Sequence, residues 1–481
     1  MSKAPIIAGI AAALVIGAAI AAFAIVWRPA ISPIEPPVPQ AFKPELVKRG
    51  RELAAIGNCN NCHTLRGGKA FAGGLGVPTP FGSVYSSNIT PDPDTGIGRW
   101  SEEAFRRAMH SGVDRAGRHL YPTFPYDHFT NVTDEDDHAL YAFLMTRQPV
   151  HAPARANDLA FPLNQRFVVA GWKLLFFRRG TYQAEPAQSA NWNRGAYLVE
   201  GLAHCGACHT PRNALGAEEV SASFSGGDVD NWHAYAINAR SPSPVPWTGQ
   251  ALARYLRRGF DPDHGVARGP MAEVVSNLSS ADESDVQAIA VYMASVFGSP
   301  SGDRVRNADA VKTRTNSPAT QAASATQADP TGAVIYAAAC AMCHETERPL
   351  PYGGVDLALS TALSAPDPRN ATNIILAGIP PVAGERSPIM PGFAASMTDD
   401  EAADLLAFLR ARFSTQPAWQ GIEIPWPMPG ACKPYFLRPR QGRTTPRPSQ
   451  RNETSHDDAE GQRARSPDRC PGGYAAALRA A

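Results

Sequence analysis

The sequence has almost no excess of charge of either sign. Its 481 residues include 45 Lys and Arg against 44 Asp and Glu, a formal net charge of +1. Proteins that bind nucleic acid through its phosphates normally carry a basic surplus, so nucleic acid is not a predicted partner. The sequence also shows neither a nucleotide-binding fingerprint nor a constellation of nucleophile and base. We therefore predict that the chain performs no substrate chemistry alone and is not an enzyme by itself.

Cysteines are few, and six of the 8 fall into three copies of one motif. The chain reads CNNCH at Cys59–His63, CGACH at Cys205–His209 and CAMCH at Cys340–His344. Cys-x-x-Cys-His is the attachment signature of a c-type haem. The two thiols form thioethers with the vinyl groups, and the adjacent imidazole lies beneath the iron. A zinc site would need a second cluster of ligands at each motif, and Cys432 and Cys470 cannot supply three.

The haem-binding residues follow directly from these motifs, and we predict three covalently bound haems c. The thioether cysteines are Cys59, Cys62, Cys205, Cys208, Cys340 and Cys343. The iron-binding histidines are His63, His209 and His344. Cys432 and Cys470 stay unassigned.

The motifs lie in a repeated unit. A short helical pattern with a glycine precedes each motif, at Gly50, Gly195 and Gly332. Each unit ends with an apolar helix that has a capping-box start. The starts pair Thr133 with Asp136, Ser280 with Glu283, and Thr398 with Glu401. A helix before the haem motif and another at the end is the layout of a class I cytochrome c domain. We predict a mainly α fold with three tandem domains of this class.

Composition sets the boundaries of these domains. Between the second and third motifs lies a stretch rich in Ser, Thr, Ala and Gln without periodicity, typical of a flexible linker. The predicted order is a transmembrane anchor at 4–27, cytochrome c domains at 41–148, 191–298 and 331–414, an inter-domain segment with an apolar helix at 149–190, a flexible linker at 301–330 and a disordered basic tail at 431–481. The three domains are called the first, second and third units below.

Shared spacing predicts the sixth iron ligand in two units. Gly259 and Gly378 each stand twelve residues before a methionine, Met271 and Met390 respectively. Ligation by His and Met keeps a c-type haem six-coordinate and raises its reduction potential. We predict Met271 and Met390 as iron ligands of the second and third haems.

In the first unit the same spacing from Gly112 ends at Phe124, which has no lone pair to give. Three residues before Gly112 stands Met109, where the other two units have an aliphatic residue. Phe105 and Met109 lie one helical turn apart on one face. We predict Met109 as the sixth ligand of the first haem. His128, in the same altered loop, and an open site are the alternatives.

One long hydrophobic run opens the chain. Residues Ala4–Trp27 carry no charge over 24 positions, long enough to cross a bilayer. A cleaved signal peptide is the alternative, because the segment is rich in alanine. Lys3 and Arg28 give almost no positive-inside bias, but covalent haem attachment of this kind takes place outside the cytoplasmic membrane. We predict a location at the bacterial inner membrane, with the haem domains on the periplasmic side.

Two stretches, NWNRGAYLVEGLAHCGACHTPRN and LYPTFPYDHFTNVTDEDDHALYAFL, carry a family resemblance. The chain resembles the triheme cytochrome c subunits of bacterial membrane-bound dehydrogenases from about Ala41 to Phe413. That family includes the cytochrome subunits of alcohol, aldehyde and gluconate dehydrogenases, and the cytochrome components of nicotinate- and isoquinoline-type molybdenum hydroxylases. The alcohol and gluconate branches usually read YPAMPY where this chain has Phe124. The Phe form followed by DHF is more similar to the molybdenum-hydroxylase and aldehyde-oxidising branch.

The resemblance implies an electron-transfer subunit. A separate periplasmic dehydrogenase subunit would oxidise the substrate, and electrons would pass through the haems to membrane ubiquinone or another respiratory acceptor. Two alternatives stay open. One is a haem enzyme or sensor whose first haem is open, and the other is an electron donor to a terminal oxidase.

Overall fold

The structure is a computed structural model that describes residues 26–313, 319–346, 348–381 and 387–424, together with residues 13, 17, 20 and 23. Helices dominate these residues and the strands are short, so the predicted mainly α fold is confirmed. Cys432, Cys470 and the predicted tail at 431–481 lie outside the described residues, as does most of the predicted anchor.

The first unit consists of helices around a small hairpin. Its helices are α1 (Pro44–Ile56), α2 (Cys59–Cys62), α3 (Glu102–Ser111), α4 (Tyr126–Phe129) and α5 (Asp134–Met145). Strands β1 (Gly76–Thr79) and β2 (Gly82–Tyr85) pair antiparallel with Gly76 opposite Tyr85. The inter-domain segment adds β3 (Asp158–Leu159) to the edge of β2 and continues into helix α6 (Arg166–Phe176).

The second unit repeats this order. Helix α7 (Ala190–Tyr197) runs into a π-helical turn (Leu198–Leu202) and is followed by α8 (Gly206–His209). The hairpin of β4 (Gly227–Val229) and β5 (Trp232–Ala234) comes next. The unit then continues with α9 (Gly249–Arg258), β6 (Phe260–Asp261), β7 (Gly265–Val266), α10 (Pro270–Leu278) and α11 (Glu283–Phe297).

The third unit is shorter. It contains α14 (Pro330–Ala339), α15 (Ala341–His344), α16 (Thr361–Ser364), α17 (Arg369–Ala377) and α18 (Asp399–Phe413). The stretch before it, predicted as a flexible linker, instead forms helices α12 (Gly302–Thr313) and α13 (Ala319–Ala328). Ala and Gln are good helix formers, and Gln321 of α13 donates a hydrogen bond to the Ala411 carbonyl of α18 at 3.1 Å. For α13, local propensity together with this packing explains the difference.

The first and last helices of each unit cross at a glycine. A Cβ at Gly50 would lie 1.9 Å from the carbonyl oxygen of Ala139, and one at Gly195 would lie 2.0 Å from that of Ala288. In the third unit, a Cβ at Gly332 would lie 2.4 Å from a carbonyl oxygen of α18. Glycine is needed because a side chain would force the two backbones apart. The repeated glycines thus position the crossings of α1 with α5, α7 with α11 and α14 with α18.

The last helix of each unit starts with a side-chain cap. The Thr133 hydroxyl accepts a hydrogen bond from the Asp136 amide, as the spacing predicts. Thr398 and Glu401 form the full reciprocal capping box. In the second unit the prediction was two residues early. The Asp282 carboxylate caps α11 there, because aspartate is at least as good an N-cap as serine.

The described residues contain no helix both long and apolar enough to cross a bilayer. A crossing helix needs about 20 predominantly apolar residues. The predicted inner-membrane location is therefore corrected on this finding. The predicted anchor at 4–27 falls mainly on residues outside the described part of the chain.

Candidate haem sites

The six motif cysteines are free thiols that lie on or directly before short helices. Cys59 and Cys62 begin and end α2, so they lie about one turn apart, and Cys205–Cys208 and Cys340–Cys343 repeat that spacing. Burial raises the pKa of Cys59 and of Cys205 to about 12 and that of Cys340 to about 11. These thiols are therefore protonated at neutral pH. The groups of metal-binding side chains found among the described residues include none of these cysteines.

The three motif histidines share one hydrogen-bond arrangement. Nδ1 of His63 lies 2.6 Å from the carbonyl oxygen of Ser87, and Nδ1 of His209 lies 2.6 Å from that of Tyr235. Nδ1 of His344 lies 2.9 Å from a backbone carbonyl oxygen, that of Val355. A proton on Nδ1 leaves the Nε2 lone pair for a metal and fixes the ring orientation.

Burial also keeps these imidazoles neutral. It lowers the pKa of His63, His209 and His344, and the hydrogen bond to the backbone offsets only part of that effect. A neutral imidazole is the form that binds iron. The accepting carbonyls were not predicted from the sequence, because a backbone oxygen leaves no side-chain signal.

Glycines pack the loops against these histidines. The Gly73 amide donates to the His63 carbonyl at 2.7 Å, and the Gly226 amide donates to the His209 carbonyl at 2.8 Å. In the third unit a Cβ at Gly354 would lie 2.6 Å from Nδ1 of His344. The histidine side of each site is thus set by a close approach of backbone to the motif.

The loops before Phe124 and Met271 fold in the same way. The Leu120 amide donates to the Gly112 carbonyl at 2.7 Å, and the Ala267 amide donates to the Gly259 carbonyl at 2.8 Å. In each loop the amide donor lies four residues before the predicted ligand position. Phe124 therefore occupies the position in the first unit that Met271 occupies in the second. Both residues are partly buried against one core cluster.

Met390 reaches a comparable position by a different loop. It pairs with Ile379 through two backbone hydrogen bonds of 2.8 and 2.9 Å, directly after the glycine that ends α17. Its side chain is partly buried against the core of the third unit.

Met109 lies inside the first unit. It is 6% exposed on α3, and its counterparts Leu256 on α9 and Ile375 on α17 are each 8% exposed. The three positions therefore face their cores alike. Phe124 packs against the same cluster as Met109 and makes an edge contact with Phe129, with ring centroids 5.3 Å apart.

The alternative ligand His128 is turned toward the second unit. Its Nε2 lies 2.9 Å from the Glu218 carboxylate, and its Nδ1 lies 2.9 Å from the Glu200 carbonyl oxygen. Both ring nitrogens are thus used in hydrogen bonds. Burial lowers the pKa of His128, but the bond to Glu218 and the nearby negative charges raise it overall, to about 9.

Two other histidines of the first unit are also engaged away from Met109. His110 Nε2 lies 2.7 Å from the buried Asp137 carboxylate. His119 Nε2 lies 2.9 Å from the Val26 carbonyl oxygen, and its Nδ1 lies 3.2 Å from Lys173 Nζ. Among the described residues, Met109 therefore stays the candidate for the sixth iron ligand, because these histidines are held in other contacts.

Helix α6 of the inter-domain segment contacts the carboxyl end of α3, the helix that carries Met109. Lys173 is buried, and its Nζ donates to the carbonyls of Ser111 and Gly112, each at 2.7 Å. It also lies 4.5 Å from the centre of the Tyr126 ring. A cation at the carboxyl end of α3 satisfies carbonyls that the helix leaves without partners. The inter-domain segment thereby fixes the end of the helix that carries Met109.

Taken together, these residues fit a covalently attached haem c. The cysteines are free, each histidine engages Nδ1 with a backbone carbonyl and so leaves Nε2 for a metal, and a methionine stands at the predicted ligand position in two units. When bound, such a haem stores and passes one electron through its iron.

Comparison with known proteins agrees with this fit. The family model described as "Cytochrome c" matches residues 47–148, and that described as "Cytochrome C oxidase, cbb3-type, subunit III" matches residues 327–409. The fructose dehydrogenase cytochrome subunit of Gluconobacter japonicus is 35% identical over 413 residues, which are 80% of this chain and 83% of that protein. The chain belongs to the family of dehydrogenase cytochrome c subunits.

Two further relatives differ in how much of their own length this chain covers. The gluconate 2-dehydrogenase cytochrome c subunit of Pantoea cypripedii is 36% identical, over 76% of this chain and 85% of that protein. A nicotinate dehydrogenase subunit of Pseudomonas putida is 47% identical over 85% of this chain, but the chain spans only 34% of that protein's length. The predictions of the family, of covalently bound haem c and of an electron-transfer rather than a catalytic subunit are confirmed.

Proposed function

We propose that this cytochrome subunit carries three haems c and relays electrons from a separate catalytic dehydrogenase subunit to ubiquinone or another respiratory acceptor. The observation that supports three sites is the repeated histidine geometry. His63, His209 and His344 each engage Nδ1 with a backbone carbonyl oxygen, at 2.6, 2.6 and 2.9 Å. Three separate loops converge on the same arrangement, which a chance Cys-x-x-Cys-His motif would not require.

The protein's own part in electron transfer is to hold each site rigid. The carbonyl oxygen fixes the histidine tautomer and ring plane, so the ligand does not reorient when the iron changes oxidation state. The glycine crossings keep the two helices at each site in one relative position. Apolar burial around Met271 and Met390 excludes water and favours the less charged state of the site.

In the first site we propose Met109 as the sixth ligand. Phe124 occupies the position of Met271 but offers no lone pair, and both nitrogens of His128 are hydrogen-bonded to the second unit. Met109 is a buried thioether on the neighbouring helix, at a position where the other units place Leu256 and Ile375.

A spectrum of the full chain tests this assignment. Met109→Leu should convert one low-spin haem to high spin and remove its share of the ferric methionine–iron charge-transfer band. His128→Gln is the matched variant in the same unit, and we expect it to leave the spin state unchanged. An unaltered spectrum in Met109→Leu would rule the thioether out, and a high-spin haem in His128→Gln would favour the imidazole.

For the catalytic partner we propose a molybdenum hydroxylase of the nicotinate type. The identity to the nicotinate dehydrogenase subunit is 47%, against 35% and 36% for the fructose and gluconate dehydrogenase subunits. Phe124 followed by DHF supports the same branch. Copurification from native cells should recover this catalytic subunit; recovery with a flavin- or quinone-dependent sugar or alcohol dehydrogenase would contradict the proposal.

A second candidate function is electron donation to a terminal oxidase. Its support is the match of residues 327–409, which cover most of the third unit, to the family model of the cbb3-type oxidase subunit. Reduced protein mixed with membranes that contain the oxidase but no quinone would be reoxidised under this alternative. Under the dehydrogenase proposal, reoxidation should depend on added quinone or another acceptor.

A further inference from the structure

One hairpin of the second unit touches both haem-binding segments of that unit. The carbonyl of Tyr235, directly after β5, is the one that accepts from His209. On the other side, the Trp232 ring packs on Gly269, where a Cβ would lie 2.4 Å from the ring. Gly269 stands two residues before Met271. The hairpin of β4 and β5 therefore contacts the segments of both residues that would hold the iron of the second haem, His209 and Met271.

The same hairpin holds helix α17 of the third unit near its start. Asn370 binds the backbone of His233 twice, because its Oδ1 accepts from the amide at 2.9 Å and its Nδ2 donates to the carbonyl at 2.8 Å. Asn373 Nδ2 donates to the Asn231 carbonyl at 2.9 Å. Both asparagine side chains are buried, so these bonds are shielded from water.

Arg268 holds the other end of α17. Its Nη2 donates to the carbonyl of Gly378 at 2.7 Å. Gly378 ends the helix with φ +71 and leads into the two backbone bonds between Ile379 and Met390. A Cβ at Gly378 would lie 2.5 Å from the Met390 carbonyl oxygen, so the two segments are in contact. Arg268 itself stands three residues before Met271, and thus ties the two methionine segments together.

We propose that Arg268 and Asn370 are positioning residues through which the second unit orients the segment of Met390, the proposed iron ligand of the third haem. This inference rests on the proposed haems of the second and third units. Helix α17 is held near its start by the hairpin that contacts both ligand segments of the second haem, and at its end by Arg268, three residues before Met271. The orientation of the Met390 segment therefore depends on contacts outside its own unit. Ligand geometry and surroundings set the potential of a haem, so the third potential should depend on these two side chains.

The test is a spectroscopic redox titration of the full chain. Arg268→Gln and Asn370→Ala remove the contacts. Arg257→Gln is the matched control, because Arg257 also donates to backbone carbonyls, those of Leu278 and Ala281, but within the second unit. The third haem is identified as the transition that disappears when Cys340 and Cys343 are both replaced by alanine.

We expect both variants to shift the midpoint potential of the third haem and to weaken its methionine–iron charge-transfer band. The control should titrate like the unmodified protein, and Arg268→Lys should recover part of the shift because it keeps a donor. Asn370→Asp, which keeps the acceptor, provides a milder variant if Asn370→Ala folds poorly.

Counting haems by mass separates this inference from the proposed function. Fewer than three haem additions on the unmodified chain would overturn the proposed function. Three additions with an unchanged third potential in Arg268→Gln and in both Asn370 variants would overturn this inference alone. A shift confined to the second haem would also overturn it.

Discussion

The first and second units meet through equivalent residues, whereas the third unit meets the second through unlike ones. Arg49 and Arg194 each stand directly before the crossing glycine of their unit. Arg49 lies 3.4 Å from Asp136 and 2.8 Å from Asp285. Arg194 lies 3.4 Å from Asp136 and 2.7 Å from Asp285. Each arginine therefore pairs with the acid of its own unit and with that of the other.

The third unit has different residues at these positions. Thr331 precedes its crossing glycine, and Glu401 turns back to cap its own helix with Thr398. The third unit therefore has no arginine at the position of Arg49 and Arg194. It contacts the second unit through α17 instead. The buried core shows the same division, since one cluster spans the first and second units while the third has its own. The three units thus share the glycine at which their first and last helices cross. The residues that join one unit to the next differ, because the fold of a single unit does not require them.

The largest effect on stability is expected from substitutions at the crossing glycines. Gly195→Ala should lower the free energy of unfolding by about 3 kcal/mol, because the new methyl group overlaps a backbone oxygen. Since the first and second units share a core, calorimetry should show both melting earlier. Gly332→Ala should have an effect of similar size confined to the third unit.

The matched control for these substitutions is Gly171→Ala. This glycine lies in α6, and a Cβ there would meet nothing within 4 Å. Replacement should stabilise the helix by about 0.5–1 kcal/mol. Equal destabilisation by all three substitutions, or one joint transition for the third and second units, would break the comparison.

A smaller effect is expected from Asp285→Asn, which removes one of the two acids that both arginines share. Burial raises the pKa of Asp285, but hydrogen bonds from Arg194 and Arg49 lower it overall. A depressed carboxyl pKa stabilises the fold above its unfolded value, and that stability is lost as pH falls through the folded value. In urea we expect a loss of about 1–2 kcal/mol at neutral pH, reduced by the partial exposure of the arginines.

The control for that substitution is Asp134→Asn. Asp134 pairs with Arg106 at 3.2 Å on the surface, with side chains 66% and 44% exposed. Its loss should cost less than about 0.5 kcal/mol. If the two substitutions lower the free energy of unfolding equally, the four-residue charge cluster between the first two units stabilises the fold no more than an ordinary surface pair does.

The last prediction concerns pH and His128. Its pKa is raised to about 9 by the contact with Glu218, with Asp127 adding to the effect. A raised histidine pKa stabilises the fold fully below its unfolded value, and that stability disappears as pH rises through about 9. The free energy of unfolding of the first two units should fall between neutral pH and that value. His128→Gln should remove this slope, whereas His138→Gln, at an exposed pair with Glu102, should keep it.

The sequence predicted the helix crossings better than the surroundings of the proposed haem sites. The spaced glycines indicate the helix crossings, because a close approach of two backbones needs glycine at one position in each unit. Cys-x-x-Cys-His predicts haem attachment in the same way, from residue types at a fixed spacing. The carbonyls of Ser87, Tyr235 and Val355 leave no such signal, since any residue supplies a backbone oxygen. Helices α12 and α13 were missed because the stretch is polar and weakly periodic, and α13 is also held by its contact with α18.

Contacts between units were the least predictable part. His128 was weighed as an iron ligand, yet it binds Glu218 across a unit boundary. Nothing in a single sequence pairs residues 90 positions apart. The ring of Arg49, Arg194, Asp136 and Asp285 could have been suspected, because both charges recur at one register in two units.

The most direct test of the central claim is the mass of the denatured chain after expression with a haem-maturation system. Each Cys-x-x-Cys-His motif should hold one haem through two thioethers, and these bonds survive denaturation. We expect three haem additions on the intact chain, and two after Cys205 and Cys208 are both replaced by alanine. A mass with two additions or fewer on the unmodified chain would contradict the claim of three haem sites.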